Sequence, residues 1–197
     1  MEKFDVHTYL RFLELLHAYR RVERNTCRQG EERHENDAEH TFQVAMSAWY
    51  LARVLKVELD MGKVLKYALA HDLVEVYAGD VPAYSKDMEA KARKSAAEHE
   101  AAERIRREFP EFTDLHDAIA AYETRDDVES RFVYAVDKLD PLVNDYLDGG
   151  RVIKERDLTI QDIIDYNLPR VSRSLDVMPV YEEIMELYKA KSKEIFG

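Results

Sequence analysis

The sequence predicts an all-α fold built as one domain of seven or eight helices. Three observations lead there. Apolar residues recur at three- and four-residue spacing through most of the chain, as one-faced helices require. Only 6 glycines and 5 prolines punctuate the 197 residues, too few for a succession of short strands and turns. No internal repeat, low-complexity stretch or long linker divides the chain, and its length suits one domain with a sizeable core.

Taken in order, residues 7–22 form the first predicted helix, with Leu10, Phe12, Leu13, Leu16 and His17 at helical spacing. Residues 23–36 are polar, contain Gly30 and read as a loop. Asn36 or Asp37 then caps a second helix. It runs to about Lys56, with Phe42, Ala45, Met46, Trp49, Ala52 and Val54 expected to face inward. Asp60 caps a third helix that Gly79 and Pro82 end. Residues 86–109 are charged and alanine-rich; Met88, Ala92, Ala96 and Ile105 make a thin apolar stripe on a lightly packed helix. Residues 113–125 and 129–147 form two more helices, broken near Asp126-Asp127, and Gly149-Gly150 stops the second. Residues 159–174 and 178–195 are the last two, separated near Pro179.

Composition narrows the function. The net charge of −11 argues against broad nucleic-acid binding. No run approaches the roughly 18 apolar residues of a membrane span. The N-terminal residues lack an apolar signal-peptide core, and Cys27 is the single cysteine, which together suggest a reducing cytoplasm. Cys27 itself reads as incidental. Positive charge is locally dense: Arg20, Arg21, Arg24, Arg28 and Arg33 fall close together, and arginine forks match phosphate geometry. The alternative for each is a solvated helix end or loop.

The third helix carries the chemistry. The apolar run Val64–Ala70 leads into His71, Asp72, Glu75 and Asp80. Burying such charges costs several kcal/mol unless they are paired or bound to a metal, so the stretch reads as half of a metal site. His40 opens the second helix and Asp137 ends the apolar run Phe132–Val136. Alone, His40 would read as a capping or core histidine. Together, two imidazoles and two carboxylates suit manganese, iron, cobalt, nickel or zinc better than calcium, and leave positions open for water and substrate. His34, His99 and His116 read as surface residues, and Tyr122 and Glu123 either reach the pocket or form a buried hydrogen-bonding pair.

The pattern His40 … His71-Asp72 … Asp137 resembles the metal motif of the HD-domain phosphohydrolases. A bare His-Asp pair occurs by chance in many chains; the wider pattern is more specific. Arg33-His34-Glu35-Asn36-Asp37-Ala38-Glu39-His40 resembles the Arg-x-Glu-Asn/Ser-x-x-Glu/Asp-His signature of the small 5′-deoxynucleotidase branch. His71-Asp72-x-x-Glu75-x-x-x-Gly79-Asp80, with Pro82 shortly after, is similar to its second signature, and Tyr122-Glu123-Thr124 followed by Phe132-Val133 and Asp137 also resembles that branch. The likeness covers about residues 7–150; the helices at about 159–195 carry none.

This resemblance implies an HD-domain helical bundle that binds one divalent transition-metal ion. It implies hydrolysis of the phosphate from deoxyribonucleoside 5′-monophosphates, by a homodimer. It assigns His40, His71, Asp72 and Asp137 as ligands, with Asp140 a rival to Asp137. It gives Glu75 the role of ordering the attacking water, and Asp80 that of placing water or the sugar hydroxyl. The family's phosphate-binding arginine closes the first helix. Here the stretch before His40 is several residues longer, so Arg20, Arg21 and Arg24 compete, with Arg21 favoured. The aromatic residue that often follows it is replaced by Val22. Arg33 and Asn36 serve either the substrate or the loop before His40. Two rival functions remain: a nucleoside triphosphate hydrolase on the same metal site, and a non-catalytic nucleotide-binding module. The second is disfavoured by the complete set of ligands with Glu75 and Asp80.

Overall fold

The computed structural model describes residues 4–27, 29–80 and 88–196, with no side chain described at 88–92. Among these are eight helices of ten residues or more, three short ones and one two-stranded hairpin. The all-α expectation holds.

Asp5 caps α1 (Val6–Tyr19) by accepting from the His7 amide, and Leu15 and Tyr19 are its buried residues. The polar stretch expected to be a loop is instead a hairpin. Strand β1 (Glu23–Cys27) pairs antiparallel with β2 (His34–Asn36), with Glu23 opposite Asn36 and Cys27 opposite His34. Pairing gives these backbone groups hydrogen bonds as the chain turns back against the bundle, and it buries Cys27. Arg28 lies outside the described residues.

Helix α2 (Asp37–Val54) starts with a capping box, the Asn36 side chain accepting from the Glu39 amide and Glu39 accepting from the Asn36 amide. Its buried face is Asp37, His40, Thr41, Val44, Ala45, Ala48 and Ala52. The large residues expected inside point out: Phe42 is 68% exposed, Trp49 48%, and Met46 and Val54 are exposed as well. Alanines let α2 pack closely on its neighbours, and turning His40 inward turns Phe42 and Trp49 outward. Leu10, Leu16 and His17 of α1 are likewise exposed, while Phe12 and Leu13 are half-buried.

Asp60 caps α3 (Met61–Ala70) through the Gly62 and Lys63 amides. The expected single helix to Gly79 is broken. The Leu73 and Glu75 amides bond the carbonyls three residues back, at 3.2 and 2.9 Å, before the short α4 (Glu75–Ala78). The His71 ring competes for the helical ladder by donating to the Ala68 carbonyl at 2.7 Å. Gly79 ends α4 at φ +75°, a conformation that favours glycine. The expected stop at Pro82 lies outside the described residues, as do the side chains of Met88 and Ala92.

Helix α5 (Met88–Glu108) buries Ala101 and Ile105, while Ala96 is exposed. Helix α6 (Thr113–Thr124) buries His116, contrary to the surface expectation, because its ring donates to the Phe109 carbonyl at 2.8 Å. Helix α7 (Val128–Leu147) is the central strut; Phe132, Val133, Ala135, Val136, Leu139 and Leu142 are all buried. It packs against α2, α3, α6 and α9 (Ile160–Val171). Between them lies α8 (Arg151–Glu155), entered through Gly149-Gly150. At Gly150 a Cβ would fall 2.6 Å from the Ile195 side chain, so only glycine lets the chain pass there. Helices α10 (Met178–Ala190) and α11 (Ser192–Ile195) close the end of the bundle. Tyr188 ties α10 to α7 by donating to the Leu142 carbonyl at 2.8 Å.

Candidate metal centre

Three stretches of chain converge at one buried point. His40 comes from the first turns of α2, His71 and Asp72 from the break after α3, and Asp137 from the middle of α7. One ligand atom from each lies within 4.8 Å of every other. His40 Nε2 is 3.2 Å from Asp137 Oδ1 and 3.7 Å from Asp72 Oδ2; His71 Nε2 is 3.1 Å from the same Asp72 oxygen. Pro141 lies one turn beyond Asp137 and has no N–H to give the Asp137 carbonyl, which interrupts the helical ladder at this level.

Each ring is oriented from behind. The carbonyl of Ala68 can only accept, so His71 carries its proton on Nδ1 and turns the Nε2 lone pair toward the cluster. That Nε2 is buried and has no hydrogen-bond partner. On the other ring, His40 Nδ1 is 3.2 Å from Asp140 Oδ2 and 3.5 Å from Glu35. Asp140, the rival ligand, thus stands behind His40, where a carboxylate orients a metal-binding imidazole. The second oxygen of Asp137 accepts from the Tyr122 hydroxyl and from Lys138 Nζ, both at 2.8 Å. An orphaned imidazole nitrogen facing a second imidazole and two carboxylates fits a divalent transition ion.

Charge is concentrated around these atoms. Burial opposes ionisation of Asp137, but the Lys138 ammonium and the His40 bond outweigh it and hold its carboxyl well below the usual range. Burial and the Arg24 charge oppose protonation of His40; bonds to Asp137, Asp140 and Glu35 prevail and raise its pKa well above the ordinary value. Glu75 is raised well above the carboxylate range by burial and by Asp72. Burial and Asp72 push Asp37 up to about 6.

The structure gathers Arg24, Glu75 and Asp80 beside the cluster. Arg24 Nη1 lies 2.7 Å from Asp72 Oδ2 and 3.2 Å from Asp37, and its Nε lies 3.3 Å from Glu35. Glu75 pairs with Lys94 Nζ at 2.9 Å. Asp80 accepts from the Asn25 side chain at 3.5 Å. Arg24, Glu75 and Asp80 line one cavity of about 90 Å³ together with Asp72, Lys94 and Lys138. Arg21 is exposed and does not line that cavity. Arg33 is exposed and grips Glu39 of the capping box at 2.6 and 2.9 Å, which fixes the entry to α2. Sequence reasoning offered Asp37 only as a helix cap and did not single out Lys94 or Lys138. Lys138 had a visible signal, adjacency to Asp137; Lys94 is one charge among many on α5.

The HD domain family model matches residues 16–177, and the chain belongs to that family. A predicted metal-dependent phosphohydrolase from Magnetospirillum magnetotacticum superposes with a TM-score of 0.83 at 25% identity, over 97% of this chain and 94% of that one. A conserved hypothetical protein from Pyrococcus furiosus matches with a TM-score of 0.64 at 26% identity, over 90% and 99%. An HD-domain phosphohydrolase from Listeria innocua shares the fold, with a TM-score of 0.58 at 15% identity over 95% and 87%. No curated protein matches the sequence. The chain is an HD-domain, metal-dependent phosphohydrolase. Among its described residues no helix is long and apolar enough to cross a membrane.

Proposed function

We propose that the protein removes the phosphate from deoxyribonucleoside 5′-monophosphates, with one divalent transition ion held by His40, His71, Asp72 and Asp137. One observation carries the proposal. A buried donor set for a cation adjoins a narrow cavity whose lining includes the cationic side chains Arg24, Lys94, Lys138 and Arg156 and the carboxylates Glu75 and Asp80. The ion, when bound, supplies positive charge to the phosphoryl oxygens and lowers the pKa of a water molecule.

The chain's own residues do the rest. Arg24, Lys94 and Lys138 are placed to receive phosphoryl oxygens. Glu75 is buried, and its Oε2 has no hydrogen-bond partner. Burial and the neighbouring Asp72 raise its pKa above the ordinary carboxylate value, and its place beside the ligands suits it to take a proton from the attacking water and hold that water in line. Asp80, at the cavity edge, is placed to bind the sugar hydroxyl. Tyr122 and Lys138 hold Asp137 in position. The resemblance also implies a homodimer, and the outward apolar stripe of Phe42, Met46, Trp49 and Tyr50 on α2 supports that.

The test is phosphate release by protein loaded with cobalt or manganese, offered nucleoside mono- and triphosphates. Release from deoxynucleoside monophosphates is expected. Turnover of triphosphates alone, or release of intact triphosphate, would sink the proposal.

A further inference from the structure

The cavity beside the metal cluster has a second wall that phosphate handling leaves unused. Three of its cations already face carboxylates: Arg24 meets Asp72 at 2.7 Å, Lys94 meets Glu75 at 2.9 Å and Lys138 meets Asp137 at 2.8 Å. Arg156, the C-cap of α8, lines the same cavity and is half-buried, yet its side chain makes no hydrogen bond or ion pair with a described residue. The acid in its field is Asp145, also on the cavity wall. Burial pushes the Asp145 carboxyl up to about 7 against the pull of Arg156, so near neutrality the guanidinium faces a partly ionised neighbour.

Tyr166 reaches the cavity from the middle of α9. The Arg170 guanidinium stacks on its ring, 3.8 Å from the centroid, and its phenol lies within the field of the Lys138 ammonium. The wall therefore leads from Asp137 through Lys138 outward to residues of α8 and α9.

We infer that Arg156 and Tyr166 form a leaving-group subsite, binding the part of a phosphate ester beyond the phosphoryl group and so selecting which ester is hydrolysed. The inference rests on the phosphomonoesterase activity proposed above. A guanidinium offers several N–H donors in one plane, suited to the oxygen and nitrogen acceptors of a sugar or base. A tyrosine adds a flat apolar surface with a hydroxyl at its tip. The leaving group they fit is planar, polar and rich in acceptors, a nucleoside rather than a simple alcohol. The α8–α9 segment lies outside the stretch that carries the metal signatures, so selectivity and hydrolysis come from different parts of the chain.

The experiment compares two substrates on the intact, manganese-loaded protein: deoxyadenosine 5′-monophosphate and p-nitrophenyl phosphate, which lacks a nucleoside. Arg156→Ala is expected to raise KM for the nucleotide about tenfold or more, the scale of one lost bond to a charged group. It is expected to leave kcat/KM for p-nitrophenyl phosphate within about twofold and the metal content unchanged. Arg156→Lys should recover part of the loss, and Tyr166→Leu should shift the nucleotide KM more than Tyr166→Phe. An Arg156→Ala protein with wild-type nucleotide KM, or with both substrates impaired equally, would overturn the subsite alone. A wild-type protein that hydrolyses neither monoester would overturn the phosphomonoesterase proposal and the subsite with it.

Discussion

Asp127 and Asp137 are two carboxylates of one helix, satisfied in opposite ways. Asp127 caps α7: one oxygen accepts from the Ser130 amide at 2.8 Å, the other from the Tyr67 hydroxyl at 2.7 Å and Lys63 at 3.1 Å. Every partner is a donor from the protein, and nothing further is needed. Asp137 takes the Tyr122 and Lys138 donors on one oxygen; the other faces the two histidines, 3.2 Å from His40 Nε2. Around it lie Arg24 Nε, Glu35 Oε1, Asp37 Oδ2, His71 Nε2 and Glu75 Oε2. Among the described residues, Tyr181 Oη is the only other buried side-chain polar atom without a hydrogen-bond partner. Arg24 Nε and Glu35 Oε1 still face each other at 3.3 Å, whereas leaving atoms such as Asp37 Oδ2, His71 Nε2 and Glu75 Oε2 without a hydrogen bond costs about 1–3 kcal/mol each. The cap is complete within the fold, whereas the cluster is built to be completed by a ligand.

Four substitutions sharpen that contrast. Asp72→Ala should have the largest effect. With a ligand gone, the several kcal/mol of charge stabilisation at the phosphoryl group goes too, and kcat/KM should fall by about a thousandfold or more with loss of bound metal. Glu75→Gln should keep the metal but lower kcat by about a hundredfold to ten-thousandfold, the usual range for a general base; wild-type turnover would remove its assigned role. Asp140→Asn should weaken metal affinity by about tenfold to a hundredfold, since it loosens His40 without removing a ligand.

Asp127→Ala tests the other member of the comparison. It should cost about 1–2 kcal/mol of stability as a lost helix cap, lowering Tm by several degrees, with metal content unaltered. The acid behaviour has a definite sign. Burial opposes ionisation of Asp127, but its Ser130, Tyr67 and Lys63 donors prevail and hold the carboxyl below the ordinary range. Its contribution is therefore present at neutral pH and is lost as the pH falls below about 4 toward the folded value. Thermal melts of wild type and variant should converge on acidification; a constant gap down to low pH would contradict that.

Much of the fold was legible because helical periodicity and caps are local signals. Asn36, one of the two expected caps of α2, and Asp60 each begin a helix as their side chains suggest, and the break expected near Asp126-Asp127 falls where Asp127 caps α7. The α2 face was misread because hydrophobicity alone placed Phe42, Met46 and Trp49 inside; the inward demand of His40 and the close packing of alanines decided otherwise. The hairpin before α2 was hidden because a strand of Glu, Arg, Asn, Thr and Cys carries no alternation of apolar residues. At the site, the four candidate ligands stood out through their signatures, and the structure brings them together. Lys94 and Arg156 did not stand out. What distinguishes them is the cavity they face, a tertiary property that no local pattern records.

A divalent metal centre at His40, His71, Asp72 and Asp137 must take up one ion per chain and lose it when a ligand is removed. Cobalt titrated calorimetrically into metal-stripped protein, wild type against His71→Ala, tests it most directly, with circular dichroism confirming that both are folded. One equivalent is expected to bind per chain of the wild type, and none at the same concentrations to the variant. A folded wild type that takes up no ion, or a variant that binds as the wild type does, would contradict it.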